Sequence, residues 1–116
     1  MHRQTKKQEK QNMLELLKKL FGFGPSVDYK ELLQNGAVII DVRTKGEFNG
    51  GNIKGSVNIP LDSLSAKINK LGPKSRVIIT CCASGMRSAS AKQILMSNGF
   101  STVYNGGSWY SLNNKI

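Results

Sequence analysis

Apolar residues in this chain fall into short runs separated by polar and glycine-containing segments. Two of the runs, residues 37–42 and 77–80, are nearly continuous and rich in β-branched side chains. That pattern is typical of strands covered on both faces. Residues 57–59 and 102–104 form two shorter runs of the same kind, which predict two further brief strands.

Segments with helical spacing lie between these strands. A helix is predicted after Asp28, where Asp28 and Glu31 have the spacing of a capping box, and it ends at Asn35-Gly36. Residues 61–71 keep helical spacing up to Gly72-Pro73, and residues 88–98 do so up to Gly99. Strands that alternate with helices predict an α/β fold, with a central, mostly parallel sheet and helices on both faces.

The chain divides into an extension, residues 1–25, and one domain, residues 26–116. Residues 1–12 are polar and rich in lysine, so we expect disorder there. Residues 13–21 carry an amphipathic pattern that we expect to pack on the domain. The longest purely apolar run has four residues, 37–40, so we expect no transmembrane segment, and no signal peptide pattern is visible.

The charge is strongly positive, with 17 Lys and Arg against 7 Asp and Glu, a net charge of +10. The excess is spread along the chain, because residues 1–21 carry +4 and residues 22–116 carry +6. We expect a surface that attracts small anions and acidic protein partners. No zinc finger or RNA-binding aromatic motif is present, so we expect no nucleic acid partner.

The only cysteines, Cys81 and Cys82, are neighbours and cannot form a disulfide of normal geometry. Free thiols favour a reducing compartment, so a cytoplasmic location is predicted. The single histidine, His2, lies in the polar extension. This excludes a Cys-His dyad, a Ser-His-Asp triad and a zinc cluster, and we expect no metal and no cofactor.

The spacing to Arg87 gives two alternative readings of the cysteine pair. Five residues separate Cys81 from Arg87, the spacing of a phosphatase loop, and four separate Cys82 from it. Either loop leaves a strand and enters a helix, where amide groups and Arg87 should lower a thiol pKa. Phosphatase loops usually place Gly three residues before Arg and His before Cys, whereas here Gly85 is two before Arg87 and Thr80 precedes Cys81.

Cys82 is therefore predicted as the nucleophile, with its sulfur exposed at the centre of the loop. Cys81 continues the strand and is predicted to be a small buried side chain, with a resolving thiol as the alternative. Gly85 permits a positive φ and a close approach to the ligand.

These residues, taken together, resemble the single-domain rhodanese (thiosulfate sulfurtransferase) family over about residues 26–112. The matching segments are Ile40-Asp41-Val42-Arg43, Glu47-Phe48, residues 51–60 (GNIKGSVNIP), residues 82–88 (CASGMRS), Asn98-Gly99-Phe100 and residues 105–109 (NGGSW). One departure is Asn52, where the family usually has His.

The resemblance implies a three-layer domain with a five-stranded, mostly parallel sheet. It also implies transfer of sulfane sulfur from thiosulfate or another small anionic donor to cyanide or a thiol acceptor, through a persulfide on Cys82. The loop residues expected to bind the substrate are Ala83, Ser84, Gly85, Met86, Arg87 and Ser88.

Most of the other motif residues are expected to have structural roles. Arg43 and Glu47 are expected to pair with each other, and Trp109 is expected to fill a gap in the core. Arg87 either binds the anionic donor or tethers the loop to the scaffold. Two further functions stay open: a phosphatase or arsenate reductase that uses Cys81, and a non-catalytic docking domain with the same fold.

Overall fold

The computed structural model describes residues 26–116, and the expectations for the extension, residues 1–25, lie outside the described residues. Helices and strands alternate along the described chain. They are α1 (Tyr29–Gln34), β1 (Val38–Asp41), α2 (Lys45–Asn49), β2 (Val57–Asn58), α3 (Leu61–Leu64), a 3-10 helix (Ser65–Lys70), β3 (Ile78–Cys82), α4 (Met86–Ser97), β4 (Val103–Ser108) and α5 (Trp109–Asn113). The predicted α/β class is confirmed.

The four strands form one parallel sheet in the order β2-β1-β3-β4. The two continuous apolar runs of the sequence are the central strands β1 and β3, and all five residues of β3 are buried. Five strands were expected, but residues 26–116 form four, and within them β4 is the edge strand next to β3.

Two clusters of apolar side chains cover the two faces of the sheet. One contains Ile40, Ile78 and Cys82, and it packs against α4 and the segment from α3 to the 3-10 helix. The other contains Ile39, Ile79 and Cys81, and it packs against α1 and α5. Successive residues of a strand point to opposite faces, which explains why neighbours in β1 and β3 belong to different clusters.

Several elements differ from the predictions: β4 runs on to Ser108, four residues past its predicted end, and the short helices α2 and α5 were not predicted. β3 continues to Cys82, one residue past Cys81, where the strand was predicted to end, and its pairing with β4 shifts register between Thr80 and Cys82. α4 begins at Met86, two residues early, because Gly85 at φ 99° turns the chain directly into the helix. The predicted helical region 61–71 is divided into α3 and the 3-10 helix. No helix within residues 26–116 is long and apolar enough to cross a membrane.

Candidate active site

A three-residue loop, residues 83–85, joins the end of β3 to the start of α4. It lies at the carboxyl edge of the parallel sheet, where ligands bind in open α/β folds. Gly85 is the residue before the helix, and its φ of 99° falls in the left-handed region that side chains with a Cβ rarely adopt. This turn aims the first amides of α4 back toward β3.

The Sγ atom of Cys82 lies at the point where those amides converge. The amide of Gly85 donates to it at 3.0 Å, and the amide of Ser88 donates at 3.3 Å. The thiol is also within 3.4 Å of the Ser88 hydroxyl oxygen. Amides held by a loop and a helix terminus in this way form an anion site, here for a sulfur that carries negative charge.

The expectation of an exposed sulfur is wrong, because Cys82 is 0% exposed. The sulfur faces the loop, but the short turn through Gly85 brings the loop backbone directly over it. The outer surface of the loop is formed by Ala83 and Ser84, which are exposed. The thiol therefore lies one layer beneath the surface of the molecule.

The surroundings of Cys82 shift its pKa in two opposing directions. Burial raises the pKa, and hydrogen bonding with the Ser88 hydroxyl and with the amides of Ser88 and Gly85 lowers it, with a smaller contribution from the more distant amide of Ser84. The hydrogen bonds outweigh burial, so the pKa of the Cys82 thiol lies below its ordinary value. Hydrogen bonding to Glu47 and, to a smaller extent, the negative charge of Cys82 raise the pKa of Arg87, so Arg87 and a Cys82 thiolate attract each other.

Cys81 lies on the other face of β3, in the cluster with Ile79 and Leu112. Burial and the nearby charge of Asp41 raise the pKa of its thiol to about 12. Both cysteines are free. Neighbouring strand residues project to opposite faces, so the Cys81 side chain does not point into the loop that surrounds Cys82.

Arg87 and Arg43 each bind one carboxylate, but in a combination that differs from the expected one. Arg87 forms a bidentate ion pair with Glu47, at 2.7 and 2.9 Å. Arg43 pairs instead with Asp41, at 2.8 Å, and reaches Glu47 only through the backbone carbonyl at 3.2 Å. The expected Arg43–Glu47 ion pair is therefore wrong. The geometry of Arg87 is that of a tether between α4 and α2.

The remaining residues of interest lie around the rim of the loop or in the scaffold. Met86 is 79% exposed beside the loop. Trp109 packs against the core cluster of the Cys81 face, and the Arg43 guanidinium lies 4.6 Å from its ring centroid. Asn52 donates from its side chain to the carbonyl of Phe48 at 2.9 Å, a structural contact at the end of α2.

Asn105 of β4 also contacts the site; it belongs to the matching segment 105–109, but no role was predicted for it there. Its Oδ1 lies 2.6 Å from the Ser88 hydroxyl and accepts from the Gly107 amide at 3.0 Å. Its Nδ2 donates to the carbonyl of Gly85 at 3.3 Å. In the sequence, Asn105 precedes Gly106-Gly107 and is indistinguishable from an ordinary turn residue. The pairing of β4 with β3 brings it to the loop.

Comparisons with known proteins agree with this geometry. The family model "Rhodanese-like domain" matches residues 26–112. YqhL of Bacillus subtilis (strain 168) is 41% identical over 69 residues, which cover 60% of this chain and 54% of YqhL. The thiosulfate sulfurtransferase PspE of Escherichia coli (strain K12) is 33% identical over 69 residues, covering 59% of this chain and 66% of PspE.

A solved structure shares the fold over most of the described chain. The human single-domain sulfurtransferase TSTD1 superimposes with a TM-score of 0.66 at 25% identity, covering 80% of this chain and 98% of TSTD1. The family match covers the sheet, the loop and every residue of the site described above. The chain therefore belongs to the rhodanese-like family.

Proposed function

We propose that this protein is a sulfurtransferase that carries sulfane sulfur as a persulfide on Cys82. The observation that carries the proposal is the pair of amides, from Gly85 and Ser88, that donate to Sγ. These donors stabilise a thiolate without a neighbouring base, and the thiolate is the nucleophilic form of cysteine. The same donors suit a persulfide, which also carries negative charge on sulfur.

The reaction proceeds in two displacement steps. In the first, the Cys82 thiolate attacks the outer sulfur of thiosulfate, a new S–S bond forms, and the old S–S bond breaks with its electron pair leaving on sulfite. In the second, cyanide or a thiolate acceptor attacks the outer sulfur of the persulfide. The bond to Sγ breaks, its electron pair returns to Cys82, and thiocyanate or an acceptor persulfide leaves.

The position of Cys81 supports an external acceptor. Its side chain lies on the opposite face of β3, and its pKa is raised to about 12, so it is a neutral thiol at physiological pH. A resolving thiol has to reach the persulfide as a thiolate. Cys81 meets neither condition, which also weighs against the phosphatase reading, in which Cys81 would be the nucleophile.

The loop shapes how a donor reaches the sulfur. Ala83, Ser84 and Met86 form its exposed surface, while Gly85 and Ser88 supply the amides below it. A donor has to move the tip of the loop to touch Sγ, because Cys82 has no exposed surface. A loop with four residues between Cys82 and Arg87 favours a single added sulfur over a tetrahedral phosphoryl group, which needs a longer loop.

The donors that fit best are small anions such as thiosulfate, drawn to a chain of net charge +10. Thiols and acidic proteins that bear a thiol are the corresponding acceptors. The two cysteines are free, and we propose that the protein works in a reducing compartment such as the cytoplasm.

Mass spectrometry after incubation with thiosulfate tests this function. We expect one added sulfur atom on Cys82, its loss on addition of cyanide, and thiocyanate as product. Cys82→Ala should abolish both the adduct and turnover, while the matched variant Cys81→Ala should retain most of them. An unmodified Cys82, together with release of phosphate from an aryl phosphate, would support the phosphatase alternative. An unmodified Cys82 with neither activity would support the docking domain.

A further inference from the structure

The side chain of Asn105 has only one possible orientation. An amide N–H, that of Gly107, donates to one end at 3.0 Å, so that end has to be the oxygen. The other end lies 3.3 Å from the carbonyl oxygen of Gly85, which only accepts, so it has to be the nitrogen. The oxygen of Asn105 therefore faces the Ser88 hydroxyl, and this assignment does not depend on that hydroxyl.

The Ser88 hydroxyl has one proton and three acceptors within reach. The Asn105 oxygen lies at 2.6 Å, the carbonyl oxygen of Gly85 at 3.0 Å and the Sγ atom of Cys82 at 3.4 Å. The two oxygens only accept, so in the shortest contact Ser88 has to be the donor. Its lone pairs then face Sγ, and a neutral Cys82 thiol donates its S–H to Ser88.

Ionisation of Cys82 reverses this preference. A thiolate has no proton to donate and attracts the hydroxyl proton more strongly than a neutral oxygen does. Turning that proton toward Sγ leaves two lone-pair oxygens, those of Ser88 and Asn105, 2.6 Å apart. The amide oxygen of Asn105 therefore competes with the thiolate for a single proton.

We propose that Asn105 is a positioning residue that holds the Ser88 hydroxyl proton away from Cys82 and thereby sets how readily the thiolate forms. The inference rests on the proposed function, because it gives Asn105 a part in generating the nucleophile. Asn105 touches neither Sγ nor the sulfur to be transferred in this arrangement, and it acts through Ser88.

Within the described residues, no charged side chain near the site hydrogen-bonds Sγ in place of the Ser88 hydroxyl. Those on the elements packed around β3 and α4 are Arg87 and Lys92 on α4, Glu47 on α2, Asp62 on α3, and Asp41 and Arg43 at the end of β1. Arg87 is paired with Glu47, and Arg43 with Asp41. Within residues 26–116, none of these side chains hydrogen-bonds Sγ, whose partners are Gly85 and Ser88.

A double-mutant cycle separates this role from simple support of the loop. Asn105→Leu keeps the size of the side chain but removes the nearer of the two competing oxygens, and it leaves the Gly85 carbonyl at 3.0 Å as the weaker competitor. We expect it to lower the pKa of the Cys82 thiol by about one unit, the scale of one hydrogen bond to a charged group. In the Ser88→Ala background no hydroxyl proton remains to be released, and the same substitution should leave the thiol pKa unchanged.

The thiol pKa is measured from the ultraviolet absorbance of the thiolate, in a Cys81→Ala background and without any sulfur donor. Circular dichroism establishes that each variant is folded, and Asn105→Ala replaces Asn105→Leu if the latter is not. Equal shifts with and without the Ser88 hydroxyl, or no shift at all, would overturn the role of Asn105. Failure of the proposed function would appear separately, as no sulfur adduct on the wild-type protein.

Discussion

Cys81 and Cys82 show how one position along a strand decides the chemistry of a side chain. Cys81 lies on the face covered by α1 and α5, where burial raises its pKa to about 12. Cys82 lies on the face of α4, where loop amides and a hydroxyl lower its pKa despite burial. The difference comes from the direction of the side chain, since both residues are equally inaccessible to solvent.

Gly85 offers a test of the loop at the scale of one residue. Its φ of 99° makes an alanine there cost about 1–2 kcal/mol of stability, and the added Cβ would lie 3.4 Å from the Cα of Gly107. We expect Gly85→Ala to move the amide off Sγ, to raise the pKa of Cys82 and to reduce sulfur transfer.

The matched control for Gly85 is Gly36, after α1, which has a φ of 100° and free space around its Cβ position. Gly36→Ala should lose a similar amount of stability in denaturant unfolding. A thiol titration and the rate of sulfur transfer should both match the wild type in this variant. If the two variants have the same thiol pKa, the Gly85 amide has no part in holding the thiolate.

The sequence locates the local part of the site and misses the long-range part. Cys82 and the loop residues 83–88 are adjacent in sequence, so the local pattern, including the positions of Gly85 and Thr80, is enough to choose them as candidates. Asn105 reaches Ser88 across 17 positions, and Glu47 reaches Arg87 across 40. Those contacts depend on strand order and on the register of β4, which no local pattern encodes. The Arg43–Glu47 prediction failed for the same reason, because the Glu47 carboxylate pairs with Arg87, which is distant in sequence.

At the scale of elements, Arg43 joins four parts of the fold that surround the loop. It forms a buried ion pair with Asp41 at the end of β1, and its guanidinium donates to the carbonyls of Glu47 on α2 and Gly51 in the following turn. The ring of Trp109, at the start of α5, covers it. Asp41 is 0% and Arg43 4% exposed, so each charge has lost its hydration and is stabilised mainly by the other.

Removal of one member of that pair should be costly. Arg43→Leu leaves the buried Asp41 carboxylate without its cation, with only the amide of residue 43 still donating to it, and we expect this to destabilise the protein by about 3–5 kcal/mol in urea unfolding. Arg43→Lys keeps the charge but loses the planar geometry that reaches the two carbonyls, so it should recover only part of the loss. The double variant Asp41→Asn, Arg43→Leu should be more stable than Arg43→Leu alone. The opposite order would show that the carboxylate is not the source of the cost.

The Glu47–Arg87 ion pair links α2 to α4, and its contribution to stability should be detectable from the loss of that contribution at acid pH. The Arg87 guanidinium and the Thr44 backbone hold the pKa of Glu47 at about 2, below its ordinary value of 4.5. A depressed pKa contributes stability above pH 4.5, and that contribution is lost as pH falls from 4.5 toward 2. We expect Arg87→Gln to be less stable than wild type at neutral pH and to approach it as the pH falls through this window.

Glu47→Gln is the control for that pair. It should be less stable than wild type at neutral pH by a similar amount, and this deficit should vanish over the same range of pH. The two substitutions combined should add little to the deficit of either one. Denaturant unfolding between about pH 2 and 6 measures the effect, which salt should weaken because both side chains are partly exposed. Equal losses at every pH would show that Arg87 acts through packing and not through the carboxylate.

Element types were more predictable than element ends. The central strands were identified because β-branched runs buried on both faces leave a clear pattern. Their ends depend on pairing with neighbours, so β3 runs on to Cys82 where β4 offers a partner. Asp28 was recognised as a cap, and its side chain accepts from the Glu31 amide at 3.0 Å. The capping box of Thr44 and Glu47 was missed, because Glu47 was assigned to Arg43.

For the whole molecule, the net charge of +10 should govern how anions approach the thiol. Arg43 and Arg87 are paired with carboxylates, so the attraction comes from the summed field of the chain and not from one side chain at the loop. Such a field acts over a Debye length of roughly 10 Å at 0.1 M salt, and added salt screens it. A direct contact between an anion and a partly buried cation such as Arg87 would be screened less.

Two alkylating reagents of similar size but different charge separate these cases. Iodoacetate is an anion and iodoacetamide is neutral, and both react with the Cys82 thiolate after the loop admits them. In the Cys81→Ala background, we expect the ratio of their rates to fall steadily as salt rises, because only the anion is attracted by the field. The kcat/KM for thiosulfate should fall in parallel, and more steeply, since thiosulfate is a dianion.

The Arg87→Gln variant should show the same salt dependence as the wild type. Its rate with the anion should be only slightly lower, because the net charge is lower by one. A salt-independent ratio in the wild type, or its collapse in Arg87→Gln, would instead assign anion capture to Arg87 at the loop.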